Sequence, residues 1–256
     1  MRLRVRVAEL DVQLDIPASF ADSVRKRFGP YIVDTDSGEL LAQVEAWDGK
    51  DPGVPPILER EDLTIWADAE SRRLLVRPGV SGTGPGAIER AVRFAYAAFA
   101  PVRDGLLLHA SAVATLKGAV AFAGASGAGK STVARLFPAD SLLSDDTIVV
   151  RRSAGKWLAW ATPFVNDPSR LPQTRGEAIW RMFVLEKSSE DRVESLSPVE
   201  KFACLLANVI ASFPGADSSR TLDLVGALSA EIPLARLRRT RDASPRPFLA
   251  DGVGMG

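Results

Sequence analysis

The chain has 256 residues, 46% of them hydrophobic and 25% charged, which is ordinary for a soluble globular protein of one large or two small domains. Lysine plus arginine and aspartate plus glutamate both total 32, so the charge balance gives no sign of nucleic acid or an anionic membrane as a partner. A single cysteine, Cys204, excludes a disulfide framework. Without a signal-peptide core or 18 consecutive apolar residues, we expect a cytoplasmic protein that does not span a membrane.

The first 80 residues predict a small, mostly antiparallel β region. Residues 3–16 alternate apolar and polar side chains, which is typical of one half-buried strand or of a hairpin that turns near Glu9. The expected elements are this strand or hairpin, a short helix over 17–28, a strand over 40–47, a loop over 49–56, and a hairpin of 63–67 with 73–77.

A glycine-rich segment at residues 81–86 follows and is interpreted as a linker. Apolar side chains then recur at helical spacing, so we expect a helix over 87–100, ended by Pro101. Residues 106–113 predict a strand, and a short turn leads from it into an apolar strand at 119–123. Two strands joined by so short a turn must be antiparallel neighbours.

The strongest functional signal is at residues 124–132, which fit the phosphate-loop pattern G-x-x-x-x-G-K-[ST] at every position. An apolar strand precedes the loop, and a helix is expected over 131–137, where Pro138 stops it. Loop glycines let successive backbone N–H groups surround an anion, Lys130 would neutralise the β and γ phosphates, and the Ser131 hydroxyl would hold Mg²⁺. ATP and Mg²⁺ are therefore the expected cofactors, and the predicted nucleotide contacts are Gly124, Ser126, Gly127, Ala128, Gly129, Lys130, Ser131 and Thr132.

Two adjacent aspartates, Asp145 and Asp146, lie in a predicted apolar strand over 142–150, after a short crossover from the loop. Such carboxylates are costly to bury alone, and a Mg·nucleotide beside them would remove that cost. One could hold Mg²⁺ while the other accepts a proton from an attacking hydroxyl. His109, the only histidine, is either a structural residue or a contact to phosphate or to an aspartate.

The remaining chain predicts further strands and helices around this centre. Arg170 and Arg175 lie in an irregular stretch and are either solvated or available to a substrate or phosphate. The chain is divided into an N-terminal region (1–80), a linker and helix (81–104), a core (105–241) and a loose tail (242–256). The expected elements of the last part are strands over 157–160, 178–185 and 233–238, an irregular segment over 162–176, and helices over 198–213, capped by Ser197, and 222–228.

The order of three segments, 108–112 with His109, the loop, and 143–146 with the aspartate pair, resembles the C-terminal catalytic domain of HPr kinase/phosphorylase. It is more similar still to the HPr-kinase-related proteins, which include kinases linked to lasso-peptide modification. The resemblance is dense from about residue 105 to 150 and thin beyond it.

The resemblance implies an α/β fold with a P-loop kinase core of the phosphoenolpyruvate-carboxykinase-like type, in which the loop lies inside a mixed sheet. It also implies phosphoryl transfer to a serine hydroxyl, with His109, Lys130 and Asp145 catalytic, and with Ser131 and Asp146 on Mg²⁺. The family's histidine is usually followed by glycine, where this chain has Ala110, and the family's C-terminal phosphorolysis signature is not recognisable. These departures argue against HPr as the acceptor and against the reverse reaction.

The predicted function is therefore ATP-dependent phosphorylation of a serine or threonine in a peptide or small protein, by a chain that could form a homo-oligomer. One alternative is a small-molecule kinase, although many of these begin with the loop and here over 100 residues precede it. The other is a nucleotide-binding regulatory module without transfer activity, against which the intact loop and aspartate pair argue.

Overall fold

The computed structural model describes residues 1–34, 39–47, 49–50, 52–79, 84–210 and 218–240. It is an α/β structure with two mixed β-sheets, one of six strands and one of nine, which confirms the predicted fold class at this level. Within the described ranges no helix is long and apolar enough to cross a membrane.

The first sheet is built from residues 2–78. The predicted hairpin of 63–67 with 73–77 is present. Of the two alternatives for residues 3–16, the structure shows the hairpin, which turns at Ala8 and Glu9, whose positive φ angles of 55° and 63° match the right-handed twist of the flanking strands. Its elements are β1 (Arg2–Val7), β2 (Leu10–Asp15), α1 (Ala21–Phe28), β3 (Glu39–Ala46), β4 (Leu58–Arg60), β5 (Leu63–Asp68) and β6 (Arg73–Pro78).

The strand order of this sheet is β1-β2-β3-β6-β5-β4. As expected, most of its strand pairings are antiparallel (three of five), but β3 runs parallel to both of its neighbours. The cause is α1, which carries the chain from the end of β2 back to the start of β3, so that the two strands point the same way.

Helix α2 (Gly84–Phe99) lies against β3 and β6 and joins the two sheets into one core. It begins earlier than predicted, because residues 84–86 of the expected linker are helical, while 81–83 lie outside the described residues. Ile88, Val92 and Tyr96 are fully buried on it.

The second sheet contains the phosphate loop between two of its elements. Its main path is β10-β8-β9-β13-β12-β11-β7, and β15 pairs with β13 and β14. The elements are β7 (Gly105–Leu108), β8 (Ala110–Thr115), β9 (Gly118–Ala123), α3 (Lys130–Ala134), β10 (Leu142–Ser144), β11 (Ile148–Ser153), β12 (Lys156–Trp160), β13 (Gly176–Lys187), β14 (Arg192–Ser195), α4 (Pro198–Leu206), α5 (Ser218–Glu231) and β15 (Leu234–Arg239).

Most predicted elements of this half are present, with shifted ends. Strands β8 and β9 are the expected antiparallel neighbours, and the Ser197 cap of α4 is confirmed, with Glu200 completing a capping box. Helix α3 stops at Ala134 rather than at residue 137, and α4 stops at Leu206. The last part of the predicted helix over 198–213 and the tail from 242 lie outside the described residues.

Two predicted strands are each broken in the middle, and the breaks face each other. The stretch 106–113 is divided at His109 into β7 and β8, and the stretch 142–150 is divided at Asp145 and Asp146 into β10 and β11. Because β7 pairs with β11 and β8 pairs with β10, both antiparallel, the two interruptions lie at the same level. The break in hydrogen bonding therefore gathers three predicted site residues.

Two buried tyrosines give a test of this packing. The Tyr96 hydroxyl accepts from Val7 N–H (3.0 Å) and donates to the Leu10 carbonyl (2.7 Å), whereas the buried hydroxyl of Tyr31 has no hydrogen-bond partner within the described part of the chain. Tyr96→Phe should lower the free energy of unfolding by about 1–3 kcal/mol, because the buried Val7 N–H and Leu10 carbonyl lose their hydrogen bonds to the hydroxyl. Tyr31→Phe should leave that energy unchanged or raise it.

Urea unfolding of both variants measures the difference, and each substitution removes the same single oxygen from a fully buried ring. An equal loss of stability in the two proteins would contradict the hydrogen-bonded role assigned to Tyr96.

Candidate phosphate-binding site

The loop at 124–132 lies between β9 and α3, in the strand–loop–helix context that the sequence predicts. Gly124 has φ 141°, and a Cβ there would lie 2.9 Å from the Leu185 carbonyl oxygen of β13. Gly129 precedes α3 with φ 100°, a conformation that side-chain-bearing residues rarely adopt. Both glycines are therefore required by the backbone path.

Lys130 is 6% exposed and folds back over the loop. Its Nζ donates to the Gly124 carbonyl at 2.7 Å and to the Ala125 carbonyl at 3.0 Å, which leaves one of its three N–H groups for an anion. Burial lowers the pKa of Lys130, and the charge of Asp146 acts in the opposite direction. The ammonium is thus fixed in place at the mouth of the loop.

Ser131 and Asp145 are joined through the backbone. The Ser131 hydroxyl donates to the Asp145 carbonyl at 2.9 Å, and Asn166 N–H donates to Asp145 Oδ1, also at 2.9 Å. Asp145 is 1% exposed, and its Oδ2 has no hydrogen-bond partner among the described residues. A buried carboxylate oxygen left this way is costly, and a hard cation would satisfy it.

These groups fit Mg²⁺ better than a metal held by protein alone. The described residues contain no cluster of three or more His, Cys, Asp or Glu side chains that could hold a metal ion. Magnesium bound with a nucleotide needs only one or two carboxylates, because phosphates and water supply its other ligands.

Asp146 follows Asp145 in the same break and is already paired. Its Oδ2 accepts from Arg93 Nη1 at 3.0 Å and from the Thr147 hydroxyl at 2.8 Å, while its Oδ1 lies 3.6 Å from His109 Nδ1. The Arg93 guanidinium also lies over the Phe164 ring, 5.2 Å from its centroid. Sequence reasoning missed Arg93, although a single arginine in the apolar stretch 91–100 was a usable signal.

His109 is held by its backbone and is partly exposed. Its N–H donates to the Asn208 carbonyl at 2.8 Å. Burial lowers the pKa of His109, and the charges of Lys130 and Arg93 lower it further, whereas Asp146 raises it. The imidazole is therefore neutral near pH 7 and can accept a hydrogen bond.

Asn208 ties His109 to the loop, and nothing in the sequence pointed to it. Its side-chain oxygen accepts from Gly124 N–H at 2.9 Å, and its Nδ2 donates to the Cys204 carbonyl at 2.8 Å. It lies in the turn that follows α4, where helix had been predicted. The first residue of the phosphate loop is thus fixed by a side chain 84 positions away.

A cleft of about 740 Å³ extends from the loop, a volume within the usual range for small-molecule sites. Strands β9, β13 and β15 are parallel, so their carboxyl ends meet at the edge of the sheet that borders it. In open α/β sheets, ligands commonly bind at this edge. The cleft is lined by Gly127, Ala128, Gly129 and Thr132 of the loop, by Lys187 and Arg239 at the ends of β13 and β15, and by Ser188 and Thr240 directly after them.

The structure brings His109, Lys130, Ser131, Asp145 and Asp146 together, as the sequence predicts. Ser126 lies exposed in the loop. The two arginines of the irregular stretch have other contacts: Arg175 donates to the Asp140 carbonyl at 2.6 Å, and Arg170 acts electrostatically on Asp167.

The single histidine gives a direct test of this geometry. In NMR titration His109 should show a pKa below its ordinary value of about 6.5. Lys130→Ala should raise that pKa by removing a nearby positive charge, and Asp146→Asn should lower it by removing a negative one. Lys156→Ala, at the exposed start of β12, is the control that should leave it unchanged. Shifts in the reverse directions would refute the arrangement.

Comparison with known proteins gives one family. Residues 87–216, just over half of the chain, match the model of the family described as SynChlorMet cassette protein ScmC. The matched range begins in α2 and contains Arg93, His109, the loop, both aspartates and Asn208, while the first sheet lies outside it. No curated protein matches the chain. The chain therefore belongs to the family of SynChlorMet cassette protein ScmC.

Proposed function

We propose that this protein is an HPr-kinase-like, ATP-dependent phosphotransferase that acts on a serine or threonine hydroxyl of a peptide or small protein. One observation carries the proposal: around one point, the two strand breaks gather a buried loop lysine, an aspartate whose buried Oδ2 has no partner among the described residues, and a second aspartate beside a neutral histidine. Phosphoryl transfer is catalysed mainly by such positioning and by electrostatic stabilisation.

The proposed fold type is the phosphoenolpyruvate-carboxykinase-like P-loop core. Its support is the position of the loop inside a mixed sheet, since β9 has the antiparallel β8 on one side and the parallel β13 on the other. Strands β9 and β10 both run antiparallel to β8, which lies between them, so the loop and the first aspartate follow strands of the same direction.

The loop and the cleft beside it would each hold one part of the nucleotide. Its phosphates would be held by the backbone N–H groups of the loop, by Lys130 and by the start of α3. The adenosine part of ATP would lie in the 740 Å³ cleft. Lys187 and Arg239 line this cleft together with loop residues and would supply positive charge to the neighbouring phosphates.

The contacts favour Asp145, together with Ser131, as the holder of Mg²⁺, because Asp145 has the unpartnered oxygen and its carbonyl fixes the Ser131 hydroxyl. When bound, Mg²⁺ would neutralise charge on the transferring phosphoryl group. This exchanges the two roles that the family resemblance implies, where Asp146 holds the metal.

Asp146 then serves the acceptor. Arg93 and Thr147 hold its Oδ2, which leaves Oδ1 on the side of His109. The acceptor oxygen forms a bond to the γ-phosphorus of ATP as the bond to the β–γ bridging oxygen breaks, and the hydroxyl proton passes to Asp146. His109, being neutral, has one ring N–H that can donate a hydrogen bond to the oxygen of the same hydroxyl and orient it.

Removal of the loop lysine tests the nucleotide site. Lys130→Ala should weaken Mg·ATP binding about 10- to 100-fold, because hydrogen bonds to a charged group contribute about 1.5–3 kcal/mol. Isothermal titration calorimetry of the variant against the Lys156→Ala control measures it. ATP affinity equal in the two variants would remove the loop from the mechanism.

The two aspartates are separated by their metal dependence. Asp145→Asn should raise the Mg²⁺ concentration needed for half-maximal ATP binding, because the cation loses a charged ligand. Asp146→Asn should bind Mg·ATP nearly normally and transfer phosphate about 10²- to 10⁴-fold more slowly, because it loses the proton acceptor.

Transfer is followed by mass spectrometry of a serine- and threonine-containing peptide library incubated with isotopically labelled ATP and Mg²⁺. If only Asp146→Asn raises the Mg²⁺ concentration needed for ATP binding, Asp146 holds Mg²⁺ and Asp145 accepts the proton, as the family resemblance implies. The absence of any labelled peptide, with ATP bound normally, would favour a nucleotide-binding module without transfer.

A further inference from the structure

A second groove, of about 530 Å³, lies between α2 and the edge strand β4. It is formed largely by the face of α2 that points away from the core in which Ile88, Val92 and Tyr96 are buried. It is separate in its lining from the 740 Å³ cleft beside the loop. Its main lining residues are Leu58 and Arg60 of β4, Arg90, Arg93 and Phe94 of α2, and Ile210 after α4.

The groove shares residues with the site at the strand breaks. Arg93 lines it and also donates to Asp146 at 3.0 Å. Ile210 lines it and donates its N–H to the Leu107 carbonyl of β7 at 2.8 Å, two positions after Asn208, whose carbonyl holds His109. The groove is therefore linked to Asp146 through Arg93, and to the backbone of His109 through the segment that holds Asn208 and Ile210.

The charges that the groove presents are mainly positive. Glu89, its one acidic lining residue, is 19% exposed and accepts two hydrogen bonds from Arg27, at 2.6 and 2.7 Å. Arg60 is exposed, and Arg90 keeps 43% of its side chain exposed although it pairs with Asp62. The carboxylates of Glu89 and Asp62 are thus paired with arginines. The guanidinium groups of Arg60 and Arg90 face the solvent beside the apolar side chains of Leu58 and Phe94.

The groove also has a backbone edge. Strand β4 is the last in its sheet, and among the described strands it pairs only with β5. The outer edge of such a strand offers N–H and C=O groups to an extended peptide, which can bind there as an added strand.

We infer that this groove binds the acceptor as an extended peptide with acidic and apolar side chains, and that it directs the acceptor hydroxyl towards Asp146. The inference rests on the proposed function for the identity of the occupant as an acceptor. Acidic side chains match Arg60 and Arg90, apolar ones match Leu58 and Phe94, and the backbone pairs with β4.

Fluorescence anisotropy in the absence of ATP tests the groove by itself. The probes are two labelled ten-residue peptides, each with one central serine and alternating leucine, one with aspartate and glutamate and the other with lysine at the same positions. The acidic peptide should bind at least about tenfold more tightly, and its affinity should fall as ionic strength rises, since surface charges are screened by salt.

Charge reversal locates the binding. Arg60→Glu should weaken binding of the acidic peptide about tenfold, and Lys156→Glu, an equal change of charge on an exposed strand end away from the groove, should not. Unchanged Mg·ATP affinity in both variants confirms that they are folded, and Arg60→Ala, with an intermediate effect expected, is the second variant.

Equal binding of the two peptides, or equal effects of Arg60→Glu and Lys156→Glu, would overturn the inference. These results are independent of ATP. If the acidic peptide binds through Arg60 while ATP does not bind, the groove is supported and the proposed function fails. If peptides are phosphorylated with no dependence on Arg60, the proposed function is supported and the groove assignment fails.

Discussion

The paired interruption of two antiparallel strands is the constraint on which the candidate site depends. Residues 105–115 and 142–151 run alongside each other, and both lose their regular ladder at the same level. A backbone break inside a sheet leaves polar groups to be satisfied locally. Here the Asn208 backbone carbonyl accepts from His109 N–H, and the Ser144 hydroxyl oxygen accepts from Thr147 N–H at 3.1 Å. The side chain of the same Asn208 accepts from Gly124 N–H, so one residue holds both the break at His109 and the start of the phosphate loop.

Helix α2 connects this centre to the first sheet. Three residues apart on the helix, Tyr96 is hydrogen-bonded to the β1–β2 hairpin and Arg93 is paired with Asp146. A displacement of the helix would therefore disturb both the core and the carboxylate at once. The first sheet lies outside the matched family range, yet its buried side chains and those of α2 belong to one core. The first sheet borders the second groove through β4, and under the proposed function it would support binding of the acceptor there.

Local pattern in the sequence was enough to predict the loop, the second hairpin of the first sheet and most of the strands, while it left residues 3–16 open between one strand and a hairpin. The loop is predictable because its function demands particular residues at fixed spacing, and hairpins because alternation and turn residues lie close together. The breaks at His109 and Asp145 were not predictable in this way, since apolar residues continue on both sides of each. They arise from pairing between segments about 30 or more positions apart, and the contact of Asn208 with Gly124 joins residues 84 positions apart.

The charges at the centre are arranged so that each is held before any ligand arrives. Lys130 donates to two carbonyls of its own loop, and Arg93 holds Asp146, so neither cation is left buried and uncompensated. The exception is Asp145, whose buried Oδ2 has no partner within the described residues. A bound nucleotide and cation would leave the existing hydrogen bonds of Lys130 and the Arg93–Asp146 pair largely unchanged. They would give Asp145 Oδ2 the partner that it lacks among the described residues. Under the proposed function, the free energy recovered by satisfying this oxygen would favour binding of the metal together with the nucleotide, and Asp145 would be the physical link between the two ligands.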